Sequence, residues 1–445
     1  MKNHIKLSDH FNCTRLLRFV FPSIIMMLFT SVYGVVDGLF VSNFAGKTSF
    51  AAINLVMPFV MILGGIGFML GTGGTALVSK TLGEGDNQKA NRYFSMIIIF
   101  TLILGIFLTA LGIIFIRPVA LFLGATPGMI DDCVLYGRIV TGFTFAFMLQ
   151  NVFQSFLIAA EKPKFGLVTT IAAGVTNIIL DWLFVAVFKW GVAGAAIATG
   201  ISQCVGGIIP LVYFLRPNKS RLRLVAAPLK LKPLLIACGN GSSELMSNIS
   251  SSVVSMVYNF QLLKYLGENG ISAYGVLMYV QFIFVAIYIG YSIGVAPIVG
   301  YHFGAQNHAE LKNLLKISTL LMIFSGIALT ASALLLSSPL AHIFVGYDKE
   351  LFNLTCHAFK LFSFAFLFAG FNIFASSFFT ALSNGGISAA ISFLRTLLFQ
   401  TSSVLFLPLI FGVDGIWYAI TAAEIFASCI SVLFLVMNRK KYKYF

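Results

Sequence analysis

Residues Phe19–Phe44 read FVFPSIIMMLFTSVYGVVDGLFVSNF, an apolar run long enough to cross a bilayer once as a helix. It holds a single acid, Asp37, and a single helix-bending residue, Pro22. A carboxylate inside a membrane-spanning helix is costly, so it is usually paired, protonated or turned to water, and it marks a functional site by default. The alternative is a carboxyl that hydrogen-bonds a neighbouring helix as packing glue.

Working outward, similar apolar runs recur to the end of the chain. Of its 445 residues 58% are hydrophobic and only 10% charged, with a mean hydropathy of +0.93; soluble domains carry about 25% charged residues. The chain therefore reads as a polytopic membrane protein. The net charge of +14 invites a nucleic-acid reading. Yet Lys and Arg sit in short connectors between apolar runs, not on one amphipathic face, so no nucleic-acid partner is expected. The six cysteines are scattered without a CxxC, which gives neither a disulfide framework nor a zinc site. The first run is too long and too well flanked for a cleaved signal peptide and is kept as a span.

Polar and Gly/Pro breaks predict twelve spans, at 17–44, 51–80, 92–116, 131–159, 164–188, 191–215, 233–264, 272–301, 313–336, 350–381, 386–409 and 414–438. The longest polar connector, RPNKSRLRLVAAPLKLKP from Arg216 to Pro233, divides the chain. Residues 1–215 form an N-terminal six-helix lobe, 216–232 a cytoplasmic linker, and 233–445 a C-terminal six-helix lobe with a tail. Most of the 29 Lys and Arg lie at the N-terminus, in the even-numbered connectors and in the tail. That imbalance predicts both termini in the cytoplasm.

The halves repeat. Adding 221 carries Gly46 to Gly267, Ala52 to Ala273, Met57 to Met278, and Gly83 in KTLGEGDN to Gly304 in YHFGAQNH; later GVAG at 191–194 meets GVDG at 412–415. An even number of spans per repeat predicts two lobes related by a pseudo-two-fold axis along the membrane normal, in an all-α fold.

The fifth span contains Asn177 and Asp181 in GVTNIILDWLF, four apart and so on one helix face. Counted from Arg18 and Lys164, Asp37 and Asp181 lie roughly 28 and 26 Å along their helices, at similar depth in the outer half of the bilayer. Two acids at one depth can share a hydrogen-bond network and take up a proton.

The proline before VDG on helix 1, the N-x-x-x-D pair on helix 5, the central repeat, GEGDNQKANR after helix 2 and SSELMSNIS on helix 7 together resemble the multidrug and toxic compound extrusion (MATE) family, in its MepA-like bacterial branch. The resemblance covers nearly the whole chain. It implies a secondary active antiporter in the bacterial cytoplasmic membrane, a multi-pass monomer. Its substrates would be small-molecule drugs and toxic cations, often bulky and aromatic, exported in exchange for H+ or Na+ without a cofactor. It gives Asp37, Asn177 and Asp181 the coupling ion, sodium included, with no resident metal. Tyr136, Asn151 and Thr199 would support that network, and Pro22 would act as the helix-1 hinge.

The second half departs from the first: Tyr258 stands at the repeat position of Asp37, and Ser402–Ser403 at that of Asp181. The coupling site is therefore expected in one lobe. The C-terminal lobe carries Glu244, Arg395 and Glu424, read either as a structural salt bridge or as a second ion site. Estimated depths of roughly 18 and 16 Å allow Glu244 to pair with Arg395. The competing readings are a flippase for a lipid-linked precursor, which often carries a cationic cavity or extra spans, an intramembrane enzyme, and a channel. No HExxH or GxSxG motif supports an enzyme, and the repeat disfavours a channel.

Overall fold

Apolar runs with few breakers bury their backbone polar groups in helices, because lipid offers no partner for a free N–H or C=O. The structure, a computed structural model, describes residues 5–44, 47–218 and 220–444; Gly46 of the repeat lies outside them. Among the described residues there are twelve helical spans. The first half holds α1 (Cys13–Phe44), α2 (Lys47–Gly83), α3 (Asn87–Phe122), α4 (Ile130–Gly142 and Thr144–Ala159, bent by 52°), α5 (Pro163–Val187) and α6 (Gly191–Leu215). The second holds α7 (231–266), α8 (268–304), α9 (His308–Val345), α10 (Lys349–Ala381), α11 (Gly385–Phe411) and α12 (Val413–Tyr442).

The expected number of spans holds, but the boundaries shift. Several helices overrun their apolar stretch by a turn or more, as α3 does to Phe122. No loop separates α7 from α8. Gly267 alone turns the chain, with φ 64° and ψ −151°, a conformation open to glycine but not to a residue with a Cβ.

The repeat reaches into the backbone. Gly85 and Gln306, partners at a spacing of 221, both take positive φ, as do Gly191 and Gly412. The next residues, Asp86 and Asn307, each cap the following helix by accepting from the N–H three residues on, at 2.9 and 3.1 Å. The break in α4 at Phe143 corresponds to a tight turn at Ser363–Ala365 in α10. Large apolar side chains such as Ile114, Phe122, Leu335 and Ile343 point outward, as a lipid-facing belt requires.

The lobes meet through glycines. A Cβ on Gly83 would overlap the Tyr301 carbonyl, and one on Gly304 the Lys80 carbonyl; Gly73 and Gly241 oppose each other in the same way. The α2–α8 and α2–α7 crossings thus bring backbones together where no side chain fits. Alanine at Gly83 or Gly304 is expected to destabilise the detergent-solubilised protein by about 1–3 kcal/mol, through forced separation of the two helices. Thermal unfolding at the wild-type temperature in both variants would contradict that contact.

One end of the bundle is stitched shut. It carries the termini and the connector, with Leu7, Phe11, Phe19 and Val20 packed in one cluster with Tyr291, Leu311, Tyr442 and Tyr444. The Leu7 N–H donates to Glu161 at 2.9 Å and the Phe11 N–H to Glu310 at 2.9 Å, so the N-terminal segment bridges both lobes. Arg221 of the connector donates to Glu161 at 3.0 Å and lies over the Tyr301 ring. The connector also lies along α3, where the Val225 N–H donates to Ser95 at 2.8 Å. At the far end the apolar clusters are separate, one around Val56, Tyr136 and Ala195, the other around Tyr258, Phe359 and Trp417. The buried apolar side chains at that end thus fall into one cluster per lobe, where at the stitched end a single cluster joins both.

Candidate carboxylate site

Helices α1 and α5 run parallel, in contact where Gly174 leaves room for the rings of Phe29 and Tyr33; a Cβ there would overlap both. Continuing by whole turns, Tyr33 and Asp37 on α1 share one face, and Gly174, Asn177 and Asp181 share the opposing face of α5. The packing that seats Tyr33 on Gly174 therefore brings Asp37 to Asp181. The two carboxyls lie close enough to interact, and Tyr136 of α4 lies within the field of both. Tyr33 also lies within reach of Gln150 of α4. Directly after Asp181 the α-helix widens into a π-helical stretch, Trp182–Val187, a local distortion often found at functional positions.

The pocket is short of donors. Both Asp181 oxygens and Asp37 Oδ1 are buried without a hydrogen-bond partner among the described residues. So are both ends of the Asn177 amide and the Thr199 hydroxyl. Ionised carboxylates only accept, so two of them facing each other cannot satisfy one another. Ionised together within interaction distance, they also repel each other. Protonation of one carboxyl supplies the missing donor and removes the repulsion.

Of the residues named from sequence, Asp37, Asp181 and Tyr136 are brought together, with Asn177 one turn below Asp181. Asn151 is buried, but its amide donates to the Gly64 carbonyl at 3.1 Å and so ties α4 to α2. Pro22 lies where α1 crosses the other lobe: Val20, Ser23 and Ile24 press on Gly294 and Gly290 of α8. Sequence reasoning missed Tyr33 and Gln150. Tyr33 had a signal, its place four residues before Asp37; Gln150 had none beyond being polar in an apolar run.

In the second lobe the pair of Glu244 and Arg395 that their depths allow is not formed. Arg395 instead grips Glu424 of α12, with Nε 2.9 and 3.0 Å from the two carboxylate oxygens and a terminal nitrogen at 2.7 Å. Asn372 of α10 donates to Glu424 Oε2 at 2.7 Å and accepts from Ser428 and Ser431. Arg395 lies in a π-helical stretch of α11, Leu394–Gln400, which faces α12, whereas Glu244 lies on α7 toward α2. Equal depth says nothing about which way a side chain points. At the repeat position of Asp37, Tyr258 stacks on Tyr274 with ring centroids 4.7 Å apart.

The sequence pattern of the MatE family matches residues 22–183 and again residues 245–403, once in each half. The chain is 24% identical over 437 residues to the multidrug export protein MepA of Staphylococcus saprophyticus subsp. saprophyticus, across 96% of this chain and 94% of that protein. To the multidrug export protein MepA of Staphylococcus haemolyticus it is 27% identical over 307 residues, 68% of this chain and 67% of that protein. Among solved structures, it superposes with a TM-score of 0.94 on MATE in complex with MaL6, at 20% identity and 100% coverage of both chains. An outward-facing conformation of a multidrug resistance MATE family transporter of the MOP superfamily gives 0.93 at 20% identity, covering 100% of this chain and 99% of that one. At such identities the likeness speaks for the fold.

Proposed function

The chain belongs to the MatE family, and from that premise we propose that it is a secondary antiporter exporting bulky, often cationic aromatic compounds in exchange for protons or sodium. The observation that supports this reading is the facing pair Asp37 and Asp181, in which Asp37 Oδ1 and both Asp181 oxygens are buried without protein donors, a place a cation would relieve. Asn177 and Thr199 would complete its shell, with Tyr136 alongside. Residues 1–215 and 233–445 are the two lobes and 216–232 the connector. The stitched end faces the cytoplasm with both termini, and the far end faces outward, in the cell membrane. The unit is a monomer that binds no nucleic acid, catalyses no reaction and holds no cofactor besides the transported ion.

The cycle follows from linkage. A ligand shifts a conformational equilibrium only by binding one state better than the other. A cation entering between the carboxyls removes their repulsion and lets α1 settle on α5. The change can be passed to the lobe contact through α1 at Pro22, where a backbone hydrogen bond is missing. Ion and drug then favour different states and exclude each other without touching.

Inverted membrane vesicles test this directly. Uptake of a fluorescent cation is expected under an imposed proton or sodium gradient and is expected to collapse when that gradient is dissipated. Uptake indifferent to both gradients would reject antiport. If the proton is the coupling ion, drug affinity should fall as pH is lowered from about 8 to about 5, because protonating the pair stabilises the drug-releasing state. A flat profile would rule out proton coupling.

A further inference from the structure

Helix α7 presents three faces. Ile249, Val253, Met256 and Phe260 are exposed and apolar and meet lipid. Ser243, Ser250, Val254 and Tyr258 are buried against the C-terminal lobe. Between them, at helical spacing, run Glu244, Asn248, Ser251, Ser255 and Asn259, every one polar and half-buried or exposed. This third face is the one turned to the N-terminal lobe, since Gly241 abuts Met69 and Gly73 of α2, and Leu245 and Asn248 meet Gly65. Polar groups left accessible on a membrane helix have to line water. The stripe therefore reads as one wall of a cleft between the two lobes.

At its inner end stands Glu244, whose carboxylate has no hydrogen-bond or ion-pair partner among the described residues. Arg395, at a similar depth, is engaged by Glu424. Nor do the neighbouring polar side chains serve Glu244. The Asn248 amide donates to the Glu244 backbone carbonyl at 2.9 Å and the Ser251 hydroxyl to the Ser247 carbonyl at 2.8 Å. Opposite the stripe, one turn beyond Gly65, α2 offers Met61, an exposed and adaptable apolar side chain.

We propose that Glu244 is the counter-charge for the substrate, so that an apolar monocation docks in the cleft with its charge on the Glu244 carboxylate and its body against Met61. The facing acids Asp37 and Asp181 lie in the other lobe, so drug charge and coupling ion are held on separate carboxylates. A single acid set among neutral polar groups selects one positive charge and leaves the rest of the substrate loosely specified, which is how broad specificity is compatible with charge preference. The inference rests on the transport reading above.

The test measures binding and gradient-driven transport of two probes by the full-length protein. The probes are tetraphenylphosphonium, a permanent monocation, and triphenylphosphine oxide, a neutral molecule of similar shape. Glu244→Gln is expected to weaken tetraphenylphosphonium binding by roughly ten- to a hundredfold, the range for removing one charged partner from a partly dry site. It should change triphenylphosphine oxide binding less than about twofold. Glu244→Asp, which keeps the charge on a shorter arm, should recover most of the affinity, and this excludes general misfolding. Unchanged tetraphenylphosphonium affinity in Glu244→Gln, or an equal loss for both probes, overturns the assignment. A wild-type protein that transports neither probe under any gradient overturns the transport reading itself, an outcome independent of Glu244.

Discussion

Asp37→Asn is expected to reduce gradient-driven efflux to the background of empty vesicles while the protein still folds and inserts. The amide keeps the shape of the carboxyl but can neither bind a proton nor repel Asp181. Because the fold then no longer holds two like charges together without a donor, thermal stability without coupling ion should rise or stay level, where removal of an ordinary packing interaction would lower it. Asp181→Asn should do the same, and Asn177→Ala should impair the same step. Combining either with Asp37→Asn should add little, since groups that act as one unit are non-additive. Normal efflux by Asp37→Asn at normal expression would sink the assignment. Fully additive losses would place the residues in separate sites.

Much of this site was legible in the sequence because its parts lie along helices. A spacing of four places Asn177 above or below Asp181 whatever the fold does, and counting residues gives the depth of Asp37. The repeat was legible for a similar reason: its marks are short connectors and caps, such as Asp86 and Asn307, whose geometry depends on nearest neighbours. The direction in which a helix turns its faces was not legible. It is set by glycine contacts such as Gly174 with Tyr33, or Gly73 with Gly241, between residues far apart in the chain. That is why Glu244 and Arg395 could be placed at one depth and still point to different helices. The π-helical stretches beside Asp181 and around Arg395 left no mark in sequence either, since their residues are ordinary helix formers in an apolar run. Asn372 went unnoticed for a related reason: a lone amide in an apolar span gains meaning only from the Glu424, Ser428 and Ser431 that meet it.

The Arg395–Glu424 pair decides whether the second lobe holds ions or only holds itself together, and its variants should separate the two roles. Glu424 is 1% exposed at its side chain and Arg395 17%, and every carboxylate oxygen already has a donor. Truncation by Glu424→Ala leaves a guanidinium stranded among apolar helices, so a loss of about 3–5 kcal/mol is expected, enough to deplete the folded protein. Replacing both partners together, Arg395→Met with Glu424→Leu, removes the charges with their desolvation cost and should come close to wild-type stability. The decisive measurement is then efflux by that double variant under separate proton and sodium gradients. Retained efflux is the expected result, because the carboxylate that could take an ion is already saturated by Arg395 and Asn372. A double variant that folds and unfolds like the wild type yet loses sodium-driven efflux would show instead that Glu424 exchanges its arginine for a transported ion during the cycle.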